Sequence, residues 1–458
     1  MLDKIAARAR RASGYTELRW HGNYSVQMSM RKGTLMANTR SQSRGLSARI
    51  HRNAGFGFAA LPGDDDDTIT AVLAQAADDA RLLRQTAEPG VLPVPSPGKG
   101  IYDYRRQRAP LPVAERIGLL RQLDAAIEAR YPGLINRDLG LSSFVSEKAV
   151  ANSEGAETYS YIPRASLGVT LSMQANDGIV ELYDVFGGFG EIEDQFLDLD
   201  PILSRVEQLY QYLREKAQGT QCEAGFHDVV LDSAVSGILA HEAIGHTCEA
   251  DSVLAGSVAG DCLGEMVASE KITLGDYAGR GPDGSSSFAI HVDDEGTPCQ
   301  DVTIIEKGVL KNFLHNKETA RRLGQEPTGN ARAYSFSDEP LVRMRNTAIL
   351  PGEDKLEDMI GAVERGYYLK RATNGQADWT SEFMFGINHG YEIRNGKLGR
   401  AIRDTTISGV AFDMLKTVTH VGDKLEWSVG GWCGKKQPIS VGMGGPAIKC
   451  RLNVGGQG

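Results

Sequence analysis

Early in the chain, apolar and polar positions alternate with period two. Val26, Met28 and Met30 are interleaved with Ser25, Gln27 and Ser29, and Leu46, Ala48 and Ile50 alternate again after a turn expected at Gly45. That period belongs to half-buried antiparallel strands. Residues 1–10 read as a short amphipathic helix. Asp64 to Asp67 precede a helix-prone run from Thr68, so these carboxylates are read as complementing a helix dipole rather than as a metal site. Pro89, Pro93, Pro95 and Pro97 mark a linker over 89–99.

The period then changes. Ile117, Leu120, Leu123 and Ile127 recur at helical spacing, predicting a helix over 113–130 that stops at Pro132-Gly133. Strand patterns return over 139–195. Ile202, Val206, Leu209 and Leu213 predict a helix over 201–216. After residue 220, Val229–Leu231 is a short apolar strand, and Asp232 is placed to cap a helix carrying Val235, Ile238, Leu239 and Glu242. From Ile272 to Cys450 the chain reads as strand, turn, strand. Hairpins are expected at Lys307-Gly308 and Asn395-Gly396, with one interrupting helix over 356–366. The expected organisation is α+β. Residues 1–218 form an N-terminal unit (subregions 1–88 and 100–218), and residues 219–458 a strand-rich C-terminal unit.

Composition narrows the function. The 458 residues are 41% hydrophobic and 24% charged, as in globular proteins. Net charge is −9 with no long basic cluster, which argues against nucleic acid or an anionic membrane as partner. The six cysteines form no C-x-x-C pair, no run of 18 apolar residues occurs, and the N-terminus lacks a signal-peptide core. A reducing, cytoplasmic setting is the expectation.

The chemistry concentrates in His241-Glu242-Ala243-Ile244-Gly245-His246, at the end of an apolar run. Two imidazoles can hold Zn²⁺, and the carboxylate between them can take a proton from water that the metal activates. Histidines four apart lie about 40° apart around a helix; five apart, they lie about 140° apart. Both can reach one ion only if the helix stops or bulges near Gly245, and a single π turn would suffice. A third ligand is required. Cys248, Glu249 and Asp251 are near; Cys433, His291, His315, His389 and His420 are distant. Cys433 sits between glycines and beside Lys435 and Lys436, which would favour a thiolate. Spacing does not choose among these. No phosphate loop, dinucleotide fingerprint or serine-hydrolase elbow is present.

His241-Glu-Ala-Ile-Gly-His246 resembles the H-E-x-x-x-H signature of the TldD branch of the TldD/PmbA metallopeptidases. Glu339-Pro-Leu-Val-Arg-Met-Arg-Asn-Thr-Ala-Ile-Leu-Pro-Gly352 is similar to that family's P-x-x-R-M-x-N-T…P-G segment, and Gly375-Gln-Ala-Asp378 to its G-G-Q-V-D. Ile407-Ser-Gly, Val421-Gly422-Asp, Trp432-Cys-Gly-Lys435 and Val441-Gly-Met-Gly-Gly-Pro continue the series in order. Lys436 departs from the family's usual glycine or acid.

The resemblance implies curved antiparallel sheets with flanking helices, a C-terminal metallopeptidase domain and a dimer enclosing a cavity. The dimer would be a homodimer or a heterodimer with a PmbA-type paralogue. It further implies one Zn²⁺ per active subunit on His241, His246 and Cys433, Glu242 as general base, and unfolded or short peptides as substrates, such as leader segments and antitoxins. Arg332, Arg343 and Asn346 are candidates for anchoring peptide carbonyls. Two other readings fit the residues: a peptide-binding assembly subunit without turnover, and a zinc amidase for small molecules.

Overall fold

The computed structural model describes residues 1–52, 55–82, 92–93, 95–107, 109–176, 178–281, 284–285, 288–429 and 431–455. The first sheet comes from long strands: β1 (Thr16–Arg31), β2 (Thr34–Arg52), β3 (Gly55–Pro62), β4 (Lys99–Asp103), β5 (Asn136–Asn152), β6 (Glu157–Ala175) and β7 (Gly178–Phe189). Their order is β3-β2-β1-β5-β6, with β4 and β7 sharing the outer edge of β6. All pairings are antiparallel except β4 with β6.

Gly45 makes no turn. It lies inside β2 opposite His21 and Pro62, and the reversal falls at Lys32-Gly33, with φ of +47° and +75°. A Cβ at Gly45 would stand 2.5 Å from the Leu61 carbonyl and the Phe336 ring, so close approach rather than reversal explains the glycine. Of the proline linker, Pro89 and residues 90–91 and 94 lie outside the described residues. Residues 92–93 and 95–98 carry no regular structure, and β4 already begins at Lys99.

One face of this sheet is apolar. Helices α1 (Leu2–Ala9) and α2 (Asp66–Leu82) cover one end of it, over Leu18, Leu46, Ala48 and Ala149. The Asp65 carboxylate accepts the Thr68 N–H at the start of α2, as expected for this acidic run. Helix α3 (Val113–Arg130), the short α4 (Ile192–Gln195) and α5 (Asp200–Ala217) follow, and α3 and α5 cover the other end, over Met28, Leu141, Leu167 and Val169.

The opposite face is polar and still buried, because C-terminal segments pack on it. Arg49 meets Glu295 at 2.5 Å, Lys148 meets Asp294 at 2.7 Å, and Asn23 donates to the Tyr334 carbonyl at 2.6 Å. These charges are paired or hydrogen-bonded, as burial requires.

In the C-terminal part, β8 (Gly225–Leu231) lies between Arg365–Ala377 and Ile448–Val454. The last strand continues to Thr405–Val410 and Glu382–Arg394, and Glu382–Arg394 pairs back to Arg365–Ala377, so the ring of pairings closes. A second sheet contains Leu274–Tyr277, Asn346–Ile349 and Gly442–Gly445. Both expected hairpins form, with positive φ at Lys307-Gly308 and Asn395-Gly396. The helix expected to Gly366 ends at Gly361, and two further helices, Lys317–Leu323 and Ala411–Lys416, interrupt the strands. At six or seven residues, they are too short to carry a period.

Candidate metal centre

Helix α6 (Ser233–Leu239) begins on Asp232, whose carboxylate accepts the Val235 N–H at 2.9 Å. Its apolar residues, including Val235 and Leu239, pack into the core that the closed strand ring shares with the second sheet. The helix does not stop at the motif. It widens into a π turn over Ala240–Gly245, and the His246 N–H donates to the His241 carbonyl at 3.2 Å, five residues back. The widening brings His241 and His246 together, with ring centroids 5.0 Å apart. Gly245 closes the turn where there is no room for a side chain: a Cβ there would overlap the Met344 sulfur.

Cys433 reaches the same point from a two-stranded hairpin, Trp432–Cys433 against Ile439–Ser440. Its Sγ lies 3.1 Å from His246 Nε2. One ligand atom from each of His241, His246 and Cys433 lies within 4.8 Å of the others. Metal bonds of roughly 2.0–2.3 Å at tetrahedral angles place ligand atoms about 3.3–3.6 Å apart, so the spacing suits one small divalent ion. The donor set fits as well. His241 is fully buried and neither ring nitrogen has a hydrogen-bond partner among the described residues. A buried ring normally finds one.

Electrostatics prepare the sulfur. Burial pushes the Cys433 thiol up, but His241 and His246 outweigh it and bring it down to about 4, which favours the thiolate form that a metal ligand needs. Burial disfavours a charged His246, yet Glu249 and Cys433 raise it to about 10. The lysines beside Cys433 are not the cause. Lys435 is spent on Glu249 at 2.9 Å and Asp251 at 2.7 Å, while Lys436 is exposed at the hairpin turn with φ +55°.

Glu249, one of the nearby candidates for third ligand, has a different place. Its carboxylate, fully buried, receives His246 Nδ1 at 2.7 Å, which fixes the ring and leaves Nε2 facing Cys433. Despite burial, Lys435 and His246 hold it at about 2. The sequence signal was available: an acid three residues after a ligand histidine, at a chain turn. Glu242 stands beside the cluster, its Oε2 3.6 Å from His246 Nε2, with a fifth of its side chain exposed. It is the described carboxylate that both neighbours the ligand atoms and meets solvent.

The remaining candidates lie elsewhere. Cys248 is a core residue whose thiol burial pushes up to about 12. His291 bonds Tyr104, His315 bonds Thr319, His389 packs on Tyr212, and His420 bonds Thr419. Arg332, Arg343 and Asn346 are buried, and they bond backbone carbonyls. Arg332 donates to Met344 and Ser440, and Asn346 to Tyr277 and Phe288. Arg343 donates to the carbonyls of Cys433 and Gln437 at 2.9 and 2.8 Å, which holds the hairpin bearing the thiol.

Fold and candidate site together describe a metallopeptidase-type α+β protein. Comparison with known proteins makes this particular. Family models described as PmbA/TldA metallopeptidase domain 1, central domain and C-terminal domain match residues 16–81, 108–217 and 224–456. The chain belongs to the TldD/PmbA metallopeptidase family. It is 31% identical to a "Metalloprotease" of Methanothermobacter thermautotrophicus, over 96% of this chain and 95% of that one. It is 29% identical to the "Zinc metalloprotease TldD homolog" of Saccharolobus solfataricus, over 90% of each. Among solved structures, TldE from Thermococcus kodakarensis superposes with a TM-score of 0.77 at 18% identity, covering 99% of this chain and 100% of that one. A Thermotoga maritima protein gives 0.79 at 20%, covering 99% and 98%. At these identities the structural likeness speaks for the fold.

Proposed function

We propose that this chain is a zinc-dependent peptidase of the motif-bearing TldD branch, acting on unfolded or short peptides. The observation that carries the reading is the convergence of His241, His246 and Cys433 on one point, with Glu242 beside them. His241, His246 and Cys433 would hold the ion. When bound, zinc supplies Lewis-acid polarisation of a carbonyl and acidifies water.

The protein's own groups do the rest. Glu242 takes the proton of the attacking water and returns it to the leaving amine. Glu249 keeps the His246 ring in register through Nδ1. Arg343 holds the Cys433 strand in place. A cavity of about 1000 Å³ is bordered by Ile238 of α6, Gly431 and Met443, and Ile238 and Met443 pack in the same cluster as Cys433. That volume favours a peptide over a small amide, bound through main-chain hydrogen bonds with loose sequence preference. We place the enzyme in the cytoplasm, where its six free cysteines stay reduced. We further propose that it works as a homodimer or beside a PmbA-type paralogue, with one zinc per active subunit.

The test is elemental analysis of the purified protein with cleavage of an unfolded peptide library, with and without chelator. Zinc at one per subunit and chelator-sensitive cleavage are expected. Glu242→Gln should keep its zinc and lose at least a hundredfold in turnover. Cleavage by that variant at the wild-type rate would remove Glu242 from the role of base.

A further inference from the structure

A second cavity lies between the polar face of the first sheet and the C-terminal segments that cover it. Its volume is about 80 Å³. At roughly 10–15 Å³ for each water, that is room for about six waters, or one terminal group of a ligand, but not a folded segment. β5 and β6 supply one wall through Phe144, Lys148 and Arg164; Phe288, Arg332 and Tyr334 supply the other.

The charges in it do not balance. Lys148 is paired with Asp294 at 2.7 Å. Arg332 gives its terminal nitrogens to two carbonyls; burial and Arg343 bring it down to about 9 against the attraction of Asp294 and Asp276. Asp293 is occupied by the N–H groups of Glu295, Thr297 and Ala331. Arg164 has no such compensation. The residue is 7% exposed; among the described residues Nη2 has no hydrogen-bond partner, and Nη1 makes a long 3.4 Å bond to the Gly431 carbonyl. Among the described residues no carboxylate pairs with it, and burial brings it down to about 10. A buried cation of this kind calls for an anion.

The surroundings say which kind. Phe288 lies under the guanidinium at 5.4 Å, and Phe144, Tyr334 and the half-exposed Trp432 form an aromatic cluster at the wall. Gly431, which Arg164 contacts, precedes Cys433 by two residues, or at most about 7 Å of chain. Through that contact the guanidinium lies at most about 15 Å from the Cys433 sulfur, the span of no more than about five residues of extended peptide.

We infer that Arg164 is the carboxylate-binding residue of a substrate subsite, holding a peptide carboxylate within about five residues of the scissile bond while the neighbouring side chain packs on Phe144 and Phe288. The carboxylate is either the free C-terminus or an acidic side chain; both present the planar pair of oxygens that a guanidinium grips bidentately. The peptide as bearer of that carboxylate rests on the peptidase reading above. The binding itself does not.

The test is calorimetric binding to the full-length Glu242→Gln variant, so that no turnover is needed. One arm compares N-acetyl-Ala-Ala-Ala-Phe as acid and as amide. The other compares amide-capped Ala-Asp-Ala-Phe with Ala-Asn-Ala-Phe. In at least one arm the charged peptide should bind tenfold or more tighter. Adding Arg164→Gln should bring that ratio to about one, and Arg164→Lys should retain part of it. Equal affinity within both arms, or a ratio that survives Arg164→Gln, overturns the inference. Unchanged metal content in each Arg164 variant establishes that it is folded. Failure of the peptidase reading alone would look different: the charge preference would persist in a protein that cleaves nothing.

Discussion

His246 offers one ring nitrogen to Glu249 and the other to Cys433, so a single side chain couples a buried carboxylate to the thiolate. Replacing Glu249 with glutamine keeps the shape but removes the charge that raises His246 and receives Lys435. Metal affinity should fall by about 10–100-fold, the usual effect of losing a carboxylate behind a ligand histidine. Competition with a calibrated chelator measures this, and unchanged affinity would reduce Glu249 to packing. Cys433→Ser should go further, because a serine hydroxyl does not ionise near neutral pH: zinc content after dialysis should drop well below one per chain. Full retention would move the third ligand elsewhere. At this scale the sequence was legible where chemistry is local. His241, Glu242 and His246 lie within six positions, whereas Cys433 is set apart only by a meeting of elements 187 residues distant. The lysines beside it suggested the right ionisation for the wrong reason, since the imidazoles lower the thiol and Lys435 faces acids.

The π turn is the element that turns an unfavourable spacing into a usable one. Five-residue spacing on a regular α-helix would splay the two rings, and the extra residue in one turn undoes the splay. Gly245 sits at the end of that turn because Met344 occupies the space a side chain would need. Gly245→Ala should therefore lower stability by about 1–3 kcal/mol, the range for overpacking a filled core. It should also weaken zinc retention, since relief requires the turn to shift. Pairing it with Met344→Ala vacates the space, so the double variant should recover zinc binding that Gly245→Ala alone loses. If the double variant retains no more zinc than the single, steric pressure at Met344 is not the reason for the glycine. Long periodic elements were readable here: α3 falls on 113–130 as its spacing predicts. The outer half of β2 falls in the strand-rich stretch expected over residues 15–60, but no alternation marks it. Its residues 34–44 are almost all exposed, so no buried face imposes an alternation. The six- and seven-residue helices of the C-terminal part escape for a related reason, since two turns are too few to register a period.

The molecule as a whole is held along buried polar seams, and these make it sensitive to acid. His389 lies where the closed strand ring meets α5, with its ring 4.5 Å from that of Tyr212 and fully buried. Burial, then Lys370, Arg371 and Lys216, lowers its pKa from the usual 6.5 to about 3. A histidine depressed in the folded state contributes stability above its unfolded pKa and loses it as pH falls, because below pH 6.5 the unfolded chain takes a proton that the folded chain refuses. From pH 7.5 to 5 the loss is about 2 kcal/mol, the slope approaching 1.36 kcal/mol per unit below pH 6.5. Among the described residues neither ring nitrogen has a hydrogen-bond partner, and the Glu215 carboxylate stands 3.9 Å from Nε2. Phenylalanine can therefore replace the ring without orphaning a neighbour. His389→Phe should match the wild type near pH 7.5 and unfold at a higher urea midpoint than the wild type at pH 5. Parallel pH profiles for the two proteins would mean that acid acts elsewhere, and the α5 seam would lose its place as the pH-sensitive joint of the fold.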